Sequence, residues 1–361
     1  MNRLLPLAAA ILAFAATPPA QTKREVIDTH GHFLPFPGEA GEVTEAAVRR
    51  AVGIMDENGI AVTVDLSGGF GAALKKRIAL YNRVAPGRFV VFTNIDFAKI
   101  GDPEFPKKAM ADLEEAQRVG ARGLKSFKAF GLRHKDASGK LLRFDDPRFD
   151  PVWTKCGALG MPVWFHVGDP AAFFRPSTPD NERYAELSVH PEWSFYGPQF
   201  PAREELLTQM VNVVLRHPET RFVGVHFGNN PEDPRFVSAL LDRCPNFNVD
   251  TAARIGEIGR QDPAFLRQFF LKYQDRIVFG SDTVYGADNV DLGVPTPGKR
   301  TNAEAKAFFD THWRFFETSA RNMDHPSPIQ GNWKVNAINL PPEVLRKVYR
   351  ENAGRLIPGL K

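Results

Sequence analysis

Cysteine is nearly absent from this sequence, with Cys156 and Cys244 the two among 361 residues. They allow at most one disulfide. Because each lies in or at the end of an apparent helix, two free buried thiols are expected. No block of basic residues occurs: the net charge of +4 arises from 46 Lys and Arg mixed along the chain with 42 Asp and Glu. That is a solvated mixed surface and not a nucleic-acid footprint. No G-x-G-x-x-G follows the first β-rich run, which argues against an open dinucleotide-binding sheet. Beyond the first twenty residues no apolar run is long enough to span a bilayer.

The N-terminus carries Arg3, an apolar run from Leu4 to Ala16, and then small residues and prolines. This is the pattern of a secretory signal peptide over residues 1–20, with cleavage after Ala15 or Ala20. Export to the periplasm or the medium is expected, with no membrane association once the signal is removed. No cysteine follows the run to accept a lipid. Residues 24–361 are expected to form a single domain.

There, short β-rich runs alternate about eight times with amphipathic helical stretches. The strand candidates are "EVIDTH", "IAVTVDLS", "RFVVFTNI", "ARGLKSF", "MPVWFHV", "RFVGVHF", "NFNVDTA" and "RIVFGSD". Few charges interrupt them, as expected of strands buried on both faces. Between the first two, Thr44 is placed to cap a helix, Val48, Val52 and Met55 share one face, and Gly59 ends it. The pattern predicts an α/β fold, a (β/α)₈ TIM barrel, with long loops after the fourth strand (residues 129–147) and the fifth (residues 168–203). Loops that follow strands surround the mouth where this fold places its chemistry.

Four of the nine histidines fall at strand C-terminal ends: His30 and His32 on the first, His166 on the fifth and His226 on the sixth. Residues two apart on a strand share a face, so His30 and His32 project together. Asp282 ends the eighth strand, and Lys125 lies on the fourth with Lys128 just beyond. Singly, each of these is as well read as a core or solvated side chain. Jointly they would meet at one mouth, where imidazoles and a carboxylate can bind a metal. A divalent ion so held lowers the pKa of a bound water and polarises a carbonyl, and Asp282 can take that water's proton and return it to a leaving group. Nitrogen and oxygen donors make zinc the first choice, with manganese, cobalt and iron as alternatives. Around the mouth, His190, Arg254 and Asn229 are candidate substrate contacts, whereas His134, His217, His312 and His325 read as structural or solvated.

Over nearly all of the mature chain the sequence resembles the metal-dependent amidohydrolase superfamily, in its amidohydrolase-2 branch, which includes aminocarboxymuconate-semialdehyde decarboxylase. The resemblance rests on D-x-H-x-H at residues 28–32, on His166, His226 and Asp282 at their strand ends, and on the closing "ENAGRLI". It implies that His30, His32, His166 and Asp282 hold the metal, with His226 a second-site ligand or a group acting on the metal-bound water. In binuclear members of the superfamily a lysine near the position of Lys125 is carbamylated and bridges two ions. The amidohydrolase-2 branch is similar to mononuclear enzymes, which implies one ion and a Lys125 that stays an ammonium and contacts substrate, as Lys128 would.

The reaction expected from these residues is hydrolysis of a C–N or C–O bond in a small-molecule amide, lactone or ester. The rival is a non-oxidative decarboxylase or hydratase on the same frame. Aromatic decarboxylases of the branch often carry glutamate in place of the first histidine, and His30 departs from that pattern, but the aminocarboxymuconate type keeps His-x-His. A barrel kept only for binding would make the strand-end set a coincidence. Homo-oligomerisation stays open.

Overall fold

The computed structural model describes residues 24–96, 100–168 and 170–360. The export signal expected over residues 1–20 lies outside them. Strand β1 (Val26–Phe33) is buried along its whole length. It is followed by β2 (Ile60–Asp65), β3 (Phe89–Val91), β4 (Leu124–Ser126), β5 (Val163–Phe165), β6 (Phe222–Gly224), β7 (Phe247–Asp250) and β8 (Ile277–Val278). All neighbours among these eight pair in parallel, as β1-β2-β3 and as β4 through β8.

Backbone hydrogen bonds join the two sheets at both seams. Between β3 and β4, Thr93 N donates to Gly123 O and Lys125 N to Thr93 O, each at 2.9 Å. Between β8 and β1, Thr29 N donates to Phe279 O at 3.0 Å and Asp282 N to His30 O at 2.8 Å. The eight-stranded cylinder is therefore closed. Strand β9 (Thr283–Tyr285) resumes the eighth strand beside β1, and β10 (Val290–Leu292) folds back on it antiparallel.

The helix Glu45–Asn58 forms as its sequence dictates: Thr44 Oγ1 accepts from Ala47 N at 3.2 Å, Val48 and Met55 are buried, and Gly59 ends it at φ 72°. Arg203–Arg216 and Pro263–Lys272 are likewise crossover helices. Inside the barrel, Ile27, Val62, Val64, Phe92, Trp164, Val223 and Val278 form one buried cluster. Ala353, Leu356 and Ile357 of the "ENAGRLI" segment join that cluster and close the end of the barrel opposite the mouth. Asn352 fastens this plug, its Nδ2 donating to Gln274 O and Ile277 O at 2.7 Å each. Asn352→Ala leaves buried acceptors unmet and is expected to cost about 2 kcal/mol of unfolding free energy, read from a denaturant midpoint shift at constant m.

One irregularity sets the site. Asp28 pairs with Thr63 but Gly31 with Asp65, so three steps on β1 match two on β2. The extra residue is a β-bulge that reverses the inside–outside phase. Ile27 therefore faces the barrel interior, and so do His30 and His32, an odd number of residues later. Gly31 is needed there, because a Cβ would stand 2.5 Å from Thr63 Cγ2.

The long connections hold local structure: the helix Ala129–Leu132 in the first, and Tyr184–Val189 with two 3₁₀ turns in the second. Two further extensions, residues 286–301 and 318–341, were not anticipated. Among the described residues no helix is long and apolar enough to cross a membrane. Cys156 and Cys244 are buried, free thiols, as expected.

Candidate active site at the barrel mouth

His30 and His32 from β1, His166 after β5, His226 after β6 and Asp282 between β8 and β9 meet at the C-terminal end of the barrel. The rings of His30 and His32 lie 5.2 Å apart, those of His30 and His226 5.0 Å, and those of His166 and His226 4.5 Å. Asp282 Oδ1 stands 3.3 Å from His30 Nε2 and 3.4 Å from His32 Nε2. Donor atoms of His30, His226 and Asp282 all lie within 4.8 Å of one another. His226 is thus as central as the residues expected to hold a metal. Its backbone explains this: φ is 54° at His226 and 62° at Asp282, a left-handed conformation that non-glycine residues adopt only where surrounding structure enforces it.

Hydrogen bonds fix two of the rings. His30 Nδ1 lies 2.8 Å from Asp250 Oδ2, and His226 Nδ1 lies 2.9 Å from the Ala252 carbonyl oxygen. Both partners only accept, so each ring carries a proton on Nδ1 and turns Nε2 to the centre. There it meets the Asp282 carboxylate, another acceptor. Burial, with Arg254 and His166 nearby, pushes His226 well below the usual histidine range, so its ring is neutral, the form that ligates. Burial works to raise the Asp282 pKa, but the close approach of His30 and the hydrogen bond from His32 outweigh it and hold the carboxyl well below its usual range. Acceptors converging on one point repel unless a cation or shared protons lie between them, so this set fits a divalent cation.

The sequence profile of the amidohydrolase family matches residues 27–359. The chain belongs to that family. It is an enzyme of the amidohydrolase superfamily, and metal dependence is typical of the family. No curated protein matches the chain. Its fold is similar to that of an uncharacterized TIM-barrel protein from Bordetella bronchiseptica, at 17% identity over 92% of this chain and 98% of that one, with a TM-score of 0.52. A dihydroxybenzoic acid decarboxylase from Polaromonas sp. JS666, with bound manganese and the inhibitor 2-nitroresorcinol, is 16% identical over 92% and 96% of the two chains, TM-score 0.52. The 4-oxalomesaconate hydratase of Rhodopseudomonas palustris is 15% identical over 92% and 95%, TM-score 0.51. At these identities the likeness is one of fold.

Above this cluster in the amidohydrolase opens a cavity of about 620 Å³, walled by Phe36, Phe127, Phe173 and Trp193, with Lys125, Lys128 and Arg254 also in its lining. Lys125 is 1% exposed. Burial brings its pKa down to about 8, although Asp250 and Asp282 pull the other way. Lys128 Nζ sits 5.0 Å from the Trp193 ring centre and 5.4 Å from that of Phe195, which pins the fifth-strand loop across the mouth.

Two expected substrate contacts are placed elsewhere. His190 is not in the cavity wall: it stacks on Trp193 at 4.0 Å, and its Nε2 lies 2.9 Å from the Pro295 carbonyl oxygen. Asn229 is buried behind β5, where its Oδ1 accepts from Val167 N at 3.0 Å and its Nδ2 donates to Phe165 O at 3.2 Å. Both thus serve the scaffold: Asn229 ties backbone groups of β5 and its following loop, and His190 bridges the Pro295 carbonyl and the Glu192 carboxylate, 3.4 Å from its Nδ1. Conversely His134, read as a loop histidine, lines the cavity, whereas His217 and His312 bond to Asp150 and to Phe308 O. His325 is buried against Trp333, its Nδ1 accepting from Ser327 N at 3.0 Å.

Sequence reading gave no role to Asp28, though it opens the D-x-H-x-H motif, nor to Glu186 or Asp250. Asp28 accepts from Ser281 Oγ at 2.5 Å and from the backbone of His30 and Ser281, and burial pushes its pKa up to about 6. Glu186 is buried in the cavity wall, bonded to Arg183 at 2.7 Å. Asp250 was legible: it is the one charge in "NFNVDTA" and stands at a strand end, as Asp282 does.

Proposed function

We propose that this amidohydrolase is a metal-dependent hydrolase that adds water across a C–N or C–O bond of a small amide, lactone or ester. His30, His32, His166, His226 and Asp282 would hold one divalent cation, zinc first on the donor chemistry, with manganese, cobalt or iron as alternatives. When bound, the ion supplies Lewis acidity toward water and toward a carbonyl oxygen. The observation that carries the reading is the placement of Asp282. Its side chain is 21% exposed at the cavity floor, with Oδ1 3.3 Å from His30 Nε2 and 3.4 Å from His32 Nε2. An anionic carboxylate facing the cavity takes a proton from water and later gives it to the leaving group. Decarboxylation asks for a proton donor at carbon first, which the same group does not supply in its resting state. Lys125 and Arg254 draw the carbonyl oxygen or an anionic substituent toward the floor, and the aromatic wall excludes bulk water. Residues 1–20 alone support placing the activity outside the cytoplasm.

A decarboxylase or hydratase is the second reading, favoured by the aromatic wall beside two cationic side chains and by the names of two solved structures of this fold. The test is incubation of the zinc- and manganese-loaded protein in ¹⁸O-water with lactones, amides, esters and aromatic carboxylates. Product carboxylate labelled with ¹⁸O and no carbon dioxide is expected. Carbon dioxide from the carboxylates, with no hydrolysis product, would put the second reading in its place.

A further inference from the structure

Asp250 ends β7 with a side chain fully shielded from solvent. Its two oxygens do separate jobs. Oδ2 lies 2.8 Å from His30 Nδ1. Oδ1 accepts from His226 N at 2.7 Å and from Ala252 N at 3.2 Å. The first of these backbone bonds falls on the residue held at φ 54°, and the second on the N–H of Ala252, the residue whose carbonyl receives the His226 ring. A single carboxylate therefore bears on both histidine rings, from β1 and from the turn after β6, that aim Nε2 at Asp282.

We propose that Asp250 is the positioning residue of the centre: it locks His30 in the Nδ1–H tautomer and holds the strained turn that brings His226 to the same point. The role rests on the metal-centre reading above. The division of labour between the oxygens allows a clean test. In Asp250→Asn the amide oxygen still accepts from the two backbone N–H groups, so the turn is kept, but the amide nitrogen is a donor and confronts His30 Nδ1. The ring must then accept at Nδ1 and carry its proton on Nε2, where no lone pair is left for a cation.

Two readouts follow, neither of which needs turnover. In long-range ¹H–¹⁵N spectra of histidine-labelled metal-free protein, His30 is expected to be protonated at Nδ1 in the wild type and at Nε2 in Asp250→Asn. Zinc(II) affinity, measured by chelator competition, is expected to fall roughly 10- to 100-fold in the variant. A folded variant that keeps the wild-type zinc affinity overturns the proposal. So does a wild-type His30 protonated at Nε2, a measurement that decides the matter even if the variant does not fold. Zinc binding that depends on Asp250, in a protein that turns over no compound of the panel, would count against the proposed reaction and not against this role.

Discussion

Asp282→Asn is expected to lower kcat by about 10³-fold, within the range that loss of a general base produces, and to reduce bound metal as well. The change is close to isosteric. Asparagine tolerates the left-handed backbone found at this position, φ 62°, and the Asp282 N–H bond to His30 O at 2.8 Å does not involve the side chain. The barrel should therefore persist. What disappears is the anion that faces His30 Nε2 at 3.3 Å and His32 Nε2 at 3.4 Å, and with it the group that can take a proton. Elemental analysis, a melting curve of the metal-free protein and turnover on whichever compound the panel identifies give the three readings. Full metal content with full turnover would remove Asp282 from the site.

Lys125→Met is expected to make the metal-free protein more stable and the loaded enzyme less active. Lys125 lies on β4 level with Trp164 and is 1% exposed, and burial brings its ammonium down to about 8 from an ordinary value of 10.5. Below pH 8 both the folded and unfolded chains carry this proton, and the folded one bears the full cost of burying it. Between about 8 and 10.5 the unfolded chain holds the extra proton, so wild-type stability gains with rising pH, and above 10.5 the penalty is gone. Methionine matches the length of the stem without the charge. At pH 7 it is expected to stabilise the fold by roughly 2–4 kcal/mol, an advantage that should shrink as the pH passes from 8 toward 10.5. Denaturant titrations at pH 7 and pH 10 measure this directly. In the loaded enzyme, kcat/KM should fall while metal content stays near one ion per chain. Two ions in the wild type, reduced in the variant, would instead identify a bridging carbamate on Lys125, and equal stability at both pH values would show that the amine is not desolvated.

The eight-unit barrel and the meeting of His30, His32, His166, His226 and Asp282 were legible from the chain alone. Both are written in short-range patterns: apolar runs alternating with helical stripes, caps such as Thr44 and Gly59, and polar residues placed at the ends of otherwise uncharged runs. A parallel barrel then gathers every strand end at one mouth, so local position is enough to predict convergence. The phase of β1 was not legible in that way. His-x-His on one face follows from alternation, but whether that face looks inward depends on the bulge between Asp28 and Gly31, which exists only against the register of β2.

The same limit governs the side chains around the site. His190 and Asn229 sit on the right connections yet are held by scaffold groups, Pro295 O and Glu192 for the first and the backbone of β5 and its loop for the second, instead of facing the cavity. Gln330 and Pro295 reach the cavity wall from extensions that carry no periodic signal. Asp250 stood in plain view at a strand end, but its hold on His30 and on His226 joins residues 220 and 24 positions apart. The burial that lowers the Lys125 pKa is likewise set by strands and loops distant in sequence. Element type and strand-end placement follow from neighbours along the chain. Tautomer, protonation and the direction a side chain faces follow from neighbours across space, because hydrogen bonding and desolvation act between groups that folding alone brings together.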